Sequence, residues 1–247
     1  MIFDEIIKLN ERDDVFSWID FSYFPQLYYK LVRLRMSSTI GITYIILILI
    51  IVTIVFVVHT RITKDEMVLV KSDIDGDTYL VRETKDKKKA ANLLASIKAD
   101  IMQITDYLYL KIDSKDKHDI EKYQPYADYI KQLKRNLANV TIKESSFNTV
   151  YTSYTINKGE SIVFCVRSKD ITKVLRSNTI HDKNLVMYVA LHEISHVACP
   201  EFGHTDLFKR IFRFITQTAI ELGMYHKVNF EADPVEYCGM MITDSIV

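Results

Sequence analysis

The chain has 247 residues, with 32 basic and 32 acidic side chains and a formal net charge of zero. That length suits one medium domain with appendages, and the balanced charge removes any global electrostatic case for nucleic acid as a partner. Hydrophobic residues reach 48%, partly through a single apolar segment near the N-terminus.

Residues 1–38 form an N-terminal segment that carries Phe16, Trp18, Phe21, Tyr23, Phe24, Tyr28 and Tyr29, and aromatic rings of this kind favour a membrane–water interface. Leu27, Leu31 and Leu34, with Lys30 and Arg33 between them, predict a basic amphipathic helix that lies on a lipid surface or packs on a partner. Residues 40–58 are almost unbroken apolar, carry no charge and are bracketed by Arg35 and Arg61. Nineteen residues at helical rise match a hydrocarbon core, so a transmembrane helix over 39–59 is expected, with the chain a single-pass membrane protein. The run starts too far into the chain for a cleaved signal peptide, and basic residues balance on its two sides, leaving the orientation open.

Residues 60–138 predict a β-hairpin followed by helices. Met67-Val68-Leu69-Val70 and residues 78–82 flank an Asp75-Gly76 turn. The acidic cluster Asp73, Asp75 and Asp77 lacks the glycine and terminal carboxylate positions of a calcium loop, so it reads as a plain turn. Ala90, Leu94, Ile97, Ile101, Ile104 and Leu108 repeat at three and four, an amphipathic helix whose lysine-rich start is solvated. A second helix over 120–137, interrupted near Pro125, completes a stalk or the outer layer of the following domain.

Residues 139–247 carry the chemistry. Residues 149–156 and 161–166 are β-rich around an Asn157-Lys158-Gly159 turn. An apolar helix then leads into His192-Glu193-Ile194-Ser195-His196, an HExxH pentad. Residues four apart share a helix face, so both imidazoles reach one zinc ion, with Glu193 beside them to handle a proton on water. Pro200 ends that helix, Gly203 permits a turn, and Thr205 is an N-cap with Asp206 in the first turn of the next helix. His204 is thereby pinned between two helices and is the expected third zinc ligand, ahead of Glu201 and of Glu221. Leu207, Phe208, Ile211, Phe212, Ile215, Ala219 and Leu222 form the core stripe of that helix, which ends near Gly223.

Cys165, Cys199 and Cys238 are odd in number and contain no CxxC, so they are expected as free thiols in a reducing compartment rather than as a disulfide framework. His181 and His226 read as surface or loop residues. Tyr225 and Tyr237 are both available to stabilise an oxyanion.

The stretch HEISHVACPEFGHTDLF resembles the WLM and SprT-like zincin metallopeptidases, with Phe208 at the aromatic position four residues after the third histidine. Residues 233–240 and 157–169 resemble membrane-anchored WLM-domain proteins of large DNA viruses. The seven residues between His196 and His204 make a longer loop than the WLM pattern and are incompatible with the HExxHxxGxxH of metzincins. The resemblance covers about residues 140–247. It implies an α+β zincin-like fold, a small sheet plus an HExxH helix, placed after the transmembrane helix, and a viral protein in a host or virion membrane. It also implies that one strand of the hairpin pairs with an extended protein or peptide substrate. The expected function is a membrane-anchored zinc endopeptidase in which His192, His196 and His204 bind Zn2+ and Glu193 is the general base. Two alternatives belong to other classes. One is a non-catalytic zinc-binding membrane or virion structural protein, closed by Cys199 or Cys238. The other is a protease for DNA–protein crosslinks, which the absence of a strong basic patch disfavours.

Overall fold

The computed structural model describes residues 38–62, 67–147, 149, 151–168 and 179–247. The aromatic and amphipathic expectations for residues 1–36 lie outside them. The chain divides near residue 64 into two units.

In the first unit, helix α1 runs Ser38–Ile62. The expected single-pass membrane architecture is corrected here: among the described residues, no helix is long and apolar enough to cross a membrane. The fold is therefore assigned from the second unit alone, as α+β with small sheets.

The second unit opens with the expected hairpin, β1 (Met67–Lys71) paired antiparallel with β2 (Thr78–Arg82). Gly76 supplies the positive φ of 74° at its turn. The acidic turn residues are engaged locally: Asp75 accepts from the Asp77 backbone N–H, and Lys88 and Lys98 pair with Asp73 and Asp77. Helix α2 (Lys87–Ile112) buries the stripe from Ala90 to Ile112 that its periodicity announces. Next come α3 (Lys117–Tyr123), a 3-10 turn at Gln124–Tyr126 and α4 (Ala127–Leu137), with Pro125 making the interruption. Helices α2 and α4 both pack against the helix that bears the pentad, so this segment shares the domain's core and is not a detached stalk.

A three-stranded sheet follows, with β3 (Thr141–Glu144), β4 (Tyr154–Ile156) and β5 (Ser161–Phe164) in the order β3-β5-β4. Strand β5 is central, fully buried, parallel to β3 and antiparallel to β4. The sequence indicated the β4–β5 pair but not β3, and it made β4 longer than it is. Helix α5 (Lys183–Ala198) is buried almost all round, as an apolar helix at the centre of a domain must be. Helix α6 (Asp206–Glu221) packs on it through Phe208, Ile211, Phe212 and Ile215. A short hairpin, β6 (Val235–Tyr237) with β7 (Met240–Ile242), closes the chain.

A buried ionic cluster ties β2, β3 and the start of α2 together. The Glu144 carboxylate accepts from the Arg82 backbone N–H at 2.8 Å and from Arg82 Nε at 3.0 Å, and it pairs with Arg167. Arg167, wholly buried, also reaches Asp86 at 2.9 Å and Thr84 at 2.8 Å. Every charge in the cluster has an opposite partner, which is the condition for tolerating it in a core.

Candidate metal centre

Helix α5 presents His192 and His196 one turn apart, and the chain leaves it at Cys199, whose φ of −78° and ψ of 127° are extended. Pro200 forbids continuation. Gly203 takes a φ of 78°, and Thr205 caps α6 by accepting from the Phe208 N–H. Between turn and cap, His204 returns to the open side of α5. The three Nε2 atoms form a nearly equilateral triangle: 3.1 Å from His192 to His196, 3.2 Å from His196 to His204 and 3.2 Å from His204 to His192.

That triangle is the fit test for a metal. Tetrahedral zinc with Zn–N bonds of about 2.05 Å sets its ligand nitrogens about 3.3 Å apart, close to the separations found. No sulfur or carboxylate belongs to this triad. Glu201 is exposed at the loop surface, and Glu221 is held by Lys122 at 2.6 Å. Neither expected competitor joins the histidines.

The electrostatics favour neutral imidazoles, the form that binds metal. His192 is driven well below its usual pKa by burial and then by His196 and His204. Burial, followed by His204 and Lys158, lowers His196 to about 3. Phe208 touches all three rings, stacked on His196 at 4.1 Å and at 5.0 Å from His192 and His204. It fixes ring orientation from below.

Glu193 follows His192 on the same helix turn. It is 5% exposed, and burial raises its pKa to about 7, offset in part by a hydrogen bond from Thr155. Thr155 Oγ1 donates to Glu193 Oε2 at 2.8 Å. Thr155 lies on β4, the edge strand beside α5. A carboxyl group poised near neutrality can accept a proton and give it back.

Sequence reasoning missed Lys158 and a disulfide, and it left Tyr225 and Tyr237 undecided. Lys158, in the turn between β4 and β5, donates to the carbonyls of Cys199 at 2.8 Å and Glu201 at 2.9 Å, and lies 4.6 Å from the Phe202 ring. It clasps the loop that delivers His204. Tyr237 is buried, with its hydroxyl 2.7 Å from Ser153 Oγ; burial raises its pKa, and the Glu193 charge adds to that rise. Tyr225, the other tyrosine left open, stacks on Tyr188 in the core. Cys165 and Cys238 are joined as a disulfide with Cα atoms 6.3 Å apart. This corrects the expectation of three free thiols and removes its argument for a reducing compartment. The partners are 73 residues apart, so no local spacing announced them. His181 lies in a loop, half-buried, with Nε2 at 3.5 Å from Cys238 Sγ. Cys199 is free and buried.

No protein-family model matches the chain, and no solved structure matches it. Among viral proteins, the chain is 40% identical over 210 residues to "Uncharacterized protein R325" of Acanthamoeba polyphaga mimivirus, covering 85% of this chain and 99% of that protein. It is 44% identical over 73 residues to "Uncharacterized protein 042R" of Invertebrate iridescent virus 3, covering 30% of this chain and 42% of that one. A protein of Invertebrate iridescent virus 6, "Uncharacterized protein 136R", is 40% identical over 73 residues, 30% of this chain and 38% of its own length. With near-complete coverage of the mimivirus protein at that identity, the chain belongs to the same family as "Uncharacterized protein R325".

Proposed function

We propose that this protein is a zinc-dependent metallopeptidase. The observation that carries the reading is the triangle of His192, His196 and His204 Nε2 atoms at 3.1–3.2 Å with a buried carboxyl group, Glu193, on the adjacent residue. Three nitrogen ligands leave a fourth position of a tetrahedron for water or substrate, which is the pattern of catalytic rather than structural zinc. The resemblance of HEISHVACPEFGHTDLF to the WLM and SprT-like peptidases supports the same reading, and the relatives suggest a viral protein.

Zinc held there supplies Lewis acidity, which acidifies water and polarises a carbonyl. The chain's own residues do the rest. The three imidazoles hold the charge in place, and Phe208 holds the imidazoles. Glu193 takes a proton from water as it attacks the carbonyl carbon, then passes it to the departing amine. Thr155 fixes the carboxylate orientation through its hydroxyl. Strand β4, paired on one side only among the described residues, offers its other edge to an extended peptide backbone. A protein or peptide is the substrate class that such an edge selects.

The test pairs two measurements on the full chain, zinc content and cleavage of an unfolded protein such as reduced casein. Glu193→Gln keeps zinc and loses cleavage. His196→Ala and His204→Ala lose zinc, while Glu201→Ala retains it. Cleavage by Glu193→Gln at the wild-type rate overturns the mechanism.

A further inference from the structure

A second set of metal-binding side chains lies outside the three histidines. Cys165 directly follows β5. His181 follows the bridge between Arg167 and Ile180, and Cys238 sits at the tip of the β6–β7 hairpin with a φ of 55°. Their ligand atoms all lie within 4.8 Å of one another. Both cysteines are buried, at 0% and 6% exposure. The imidazole leans over Tyr237, with ring centroids 4.9 Å apart, and aims Nε2 at Cys238 Sγ from 3.5 Å. A disulfide gains little from such an imidazole, because its sulfurs are weak hydrogen-bond acceptors. Reduced, the two sulfurs can deprotonate and ligate a metal ion beside that nitrogen. The Arg167 carbonyl oxygen lies 3.1 Å from Cys165 Sγ and 3.4 Å from Cys238 Sγ, so an acceptor already stands ready for the reduced form.

We propose that Cys165, His181 and Cys238 form a second metal site of thiolate–imidazole type, available when the disulfide is reduced and closed when it forms. Two sulfurs and one nitrogen suit zinc or another soft divalent cation, with the fourth position left to water or a carbonyl. The opening step balances with a cellular dithiol as reductant. The S–S bond breaks, the two sulfurs together gain two electrons and two protons, and the dithiol becomes a disulfide. Metal uptake then releases the two thiol protons. The site joins the terminal hairpin to the central strand next to the candidate active site. Tyr237 precedes Cys238 and shares Ser153 with the Cys165 backbone: the Cys165 N–H donates to Ser153 Oγ at 3.0 Å, and Tyr237 Oη lies 2.7 Å from the same atom. Its donors include none of the three histidines, so it stands or falls independently of the peptidase reading.

The experiment uses cobalt(II) as probe on the full chain. One sample is kept oxidised; the other is reduced with a dithiol, freed of it and handled without oxygen. The reduced chain develops a near-ultraviolet thiolate-to-cobalt charge-transfer band and takes up one equivalent more than the oxidised chain, which shows no such band. Cys238→Ser abolishes the band. His181→Ala, which leaves the disulfide intact, weakens cobalt binding in the reduced form at least about tenfold. His192→Ala removes cobalt from the histidine triad and leaves the band, so failure of that triad is distinguishable. No band in the reduced wild type, or a band that survives Cys238→Ser, overturns the proposal. So does thiol titration showing three free thiols in the oxidised sample.

Discussion

Thr155 and Glu193 meet across the boundary between the edge strand and the pentad helix, hydroxyl to carboxylate, at 2.8 Å. The strand thus fixes the one acidic group that the proposed chemistry needs, and does so with a neutral donor that does not trap the carboxylate as an ion pair. Thr155→Val keeps the side-chain shape and removes the donor. A hydrogen bond to a charged group is worth about 1.5–3 kcal/mol, so peptide cleavage falls roughly tenfold to a hundredfold with zinc content unchanged. Thr155→Ser restores most of it. Loss of zinc in Thr155→Val would assign the residue a merely structural role.

Lys158 holds the His204 loop through the carbonyls of Cys199 and Glu201, with its ammonium over the Phe202 ring. Lys158→Met keeps an unbranched apolar stem and removes the ammonium group that donates to the carbonyls and lies over the Phe202 ring. The loop between His196 and His204 loosens, and zinc binding weakens about tenfold, within the range of residues that orient ligands without touching metal. Competition with a chromogenic chelator measures it. An unchanged affinity would show that Pro200 and the Thr205 cap suffice to place His204.

Gly159 adopts a φ of 120°, and a Cβ there would meet Val197 Cγ1 at 3.0 Å and the Asn136 carbonyl oxygen at 3.1 Å. Gly159→Ala therefore suffers both backbone strain and crowding between the β4–β5 turn and the last turn of α5. A loss of about 1–3 kcal/mol is expected, read by denaturant unfolding. Gly203→Ala shares the positive φ but has open space around it, so it costs less.

The buried ionic cluster gives a pH signature. Burial raises the Asp86 pKa, but the Thr84 hydroxyl and the Arg167 guanidinium outweigh it, and the net shift is downward. A folded pKa below the unfolded one means that the contribution is present above the unfolded pKa and lost as pH falls through the folded one. Wild type therefore exceeds Asp86→Asn in stability at neutral pH, and the gap closes in acid, between about pH 5 and pH 2. Glu144→Gln, which removes the carboxylate from Arg82 and leaves Arg167 with Asp86 alone, is the harsher change, with a loss of about 3–5 kcal/mol. Urea unfolding of both variants across that range checks the sign.

Much of the second unit was readable because its signals are local. The three-and-four repeat from Ala90 to Leu108, the Asp75-Gly76 turn, Pro125 in its 3-10 turn and the Thr205 cap each depend on residues within one or two turns of one another, and the structure has all of them. The candidate centre was readable for the same reason: the pentad is one turn of helix, and His204 is fixed by Pro200 and Thr205 close by in sequence. Strand β3 was not, since its parallel partner β5 lies beyond β4 and only the sheet selects it. The membrane-spanning expectation rested on hydropathy along the chain, and no helix among the described residues has the length and apolarity it requires.

Sequence by itself placed His192 and His196 on one helix face with Glu193 alongside, because helix periodicity dictates which side chains coincide, and it put His204 ahead of Glu201 and Glu221 as the third candidate; the structure brought His204 to the pair. Tertiary structure alone decided what surrounds that set. Thr155 on Glu193, Lys158 on the His204 loop, and the meeting of Cys165, His181 and Cys238 all join segments tens of residues apart. Such contacts depend on how buried faces pack against one another in three dimensions, and spacing along the chain carries no record of that packing.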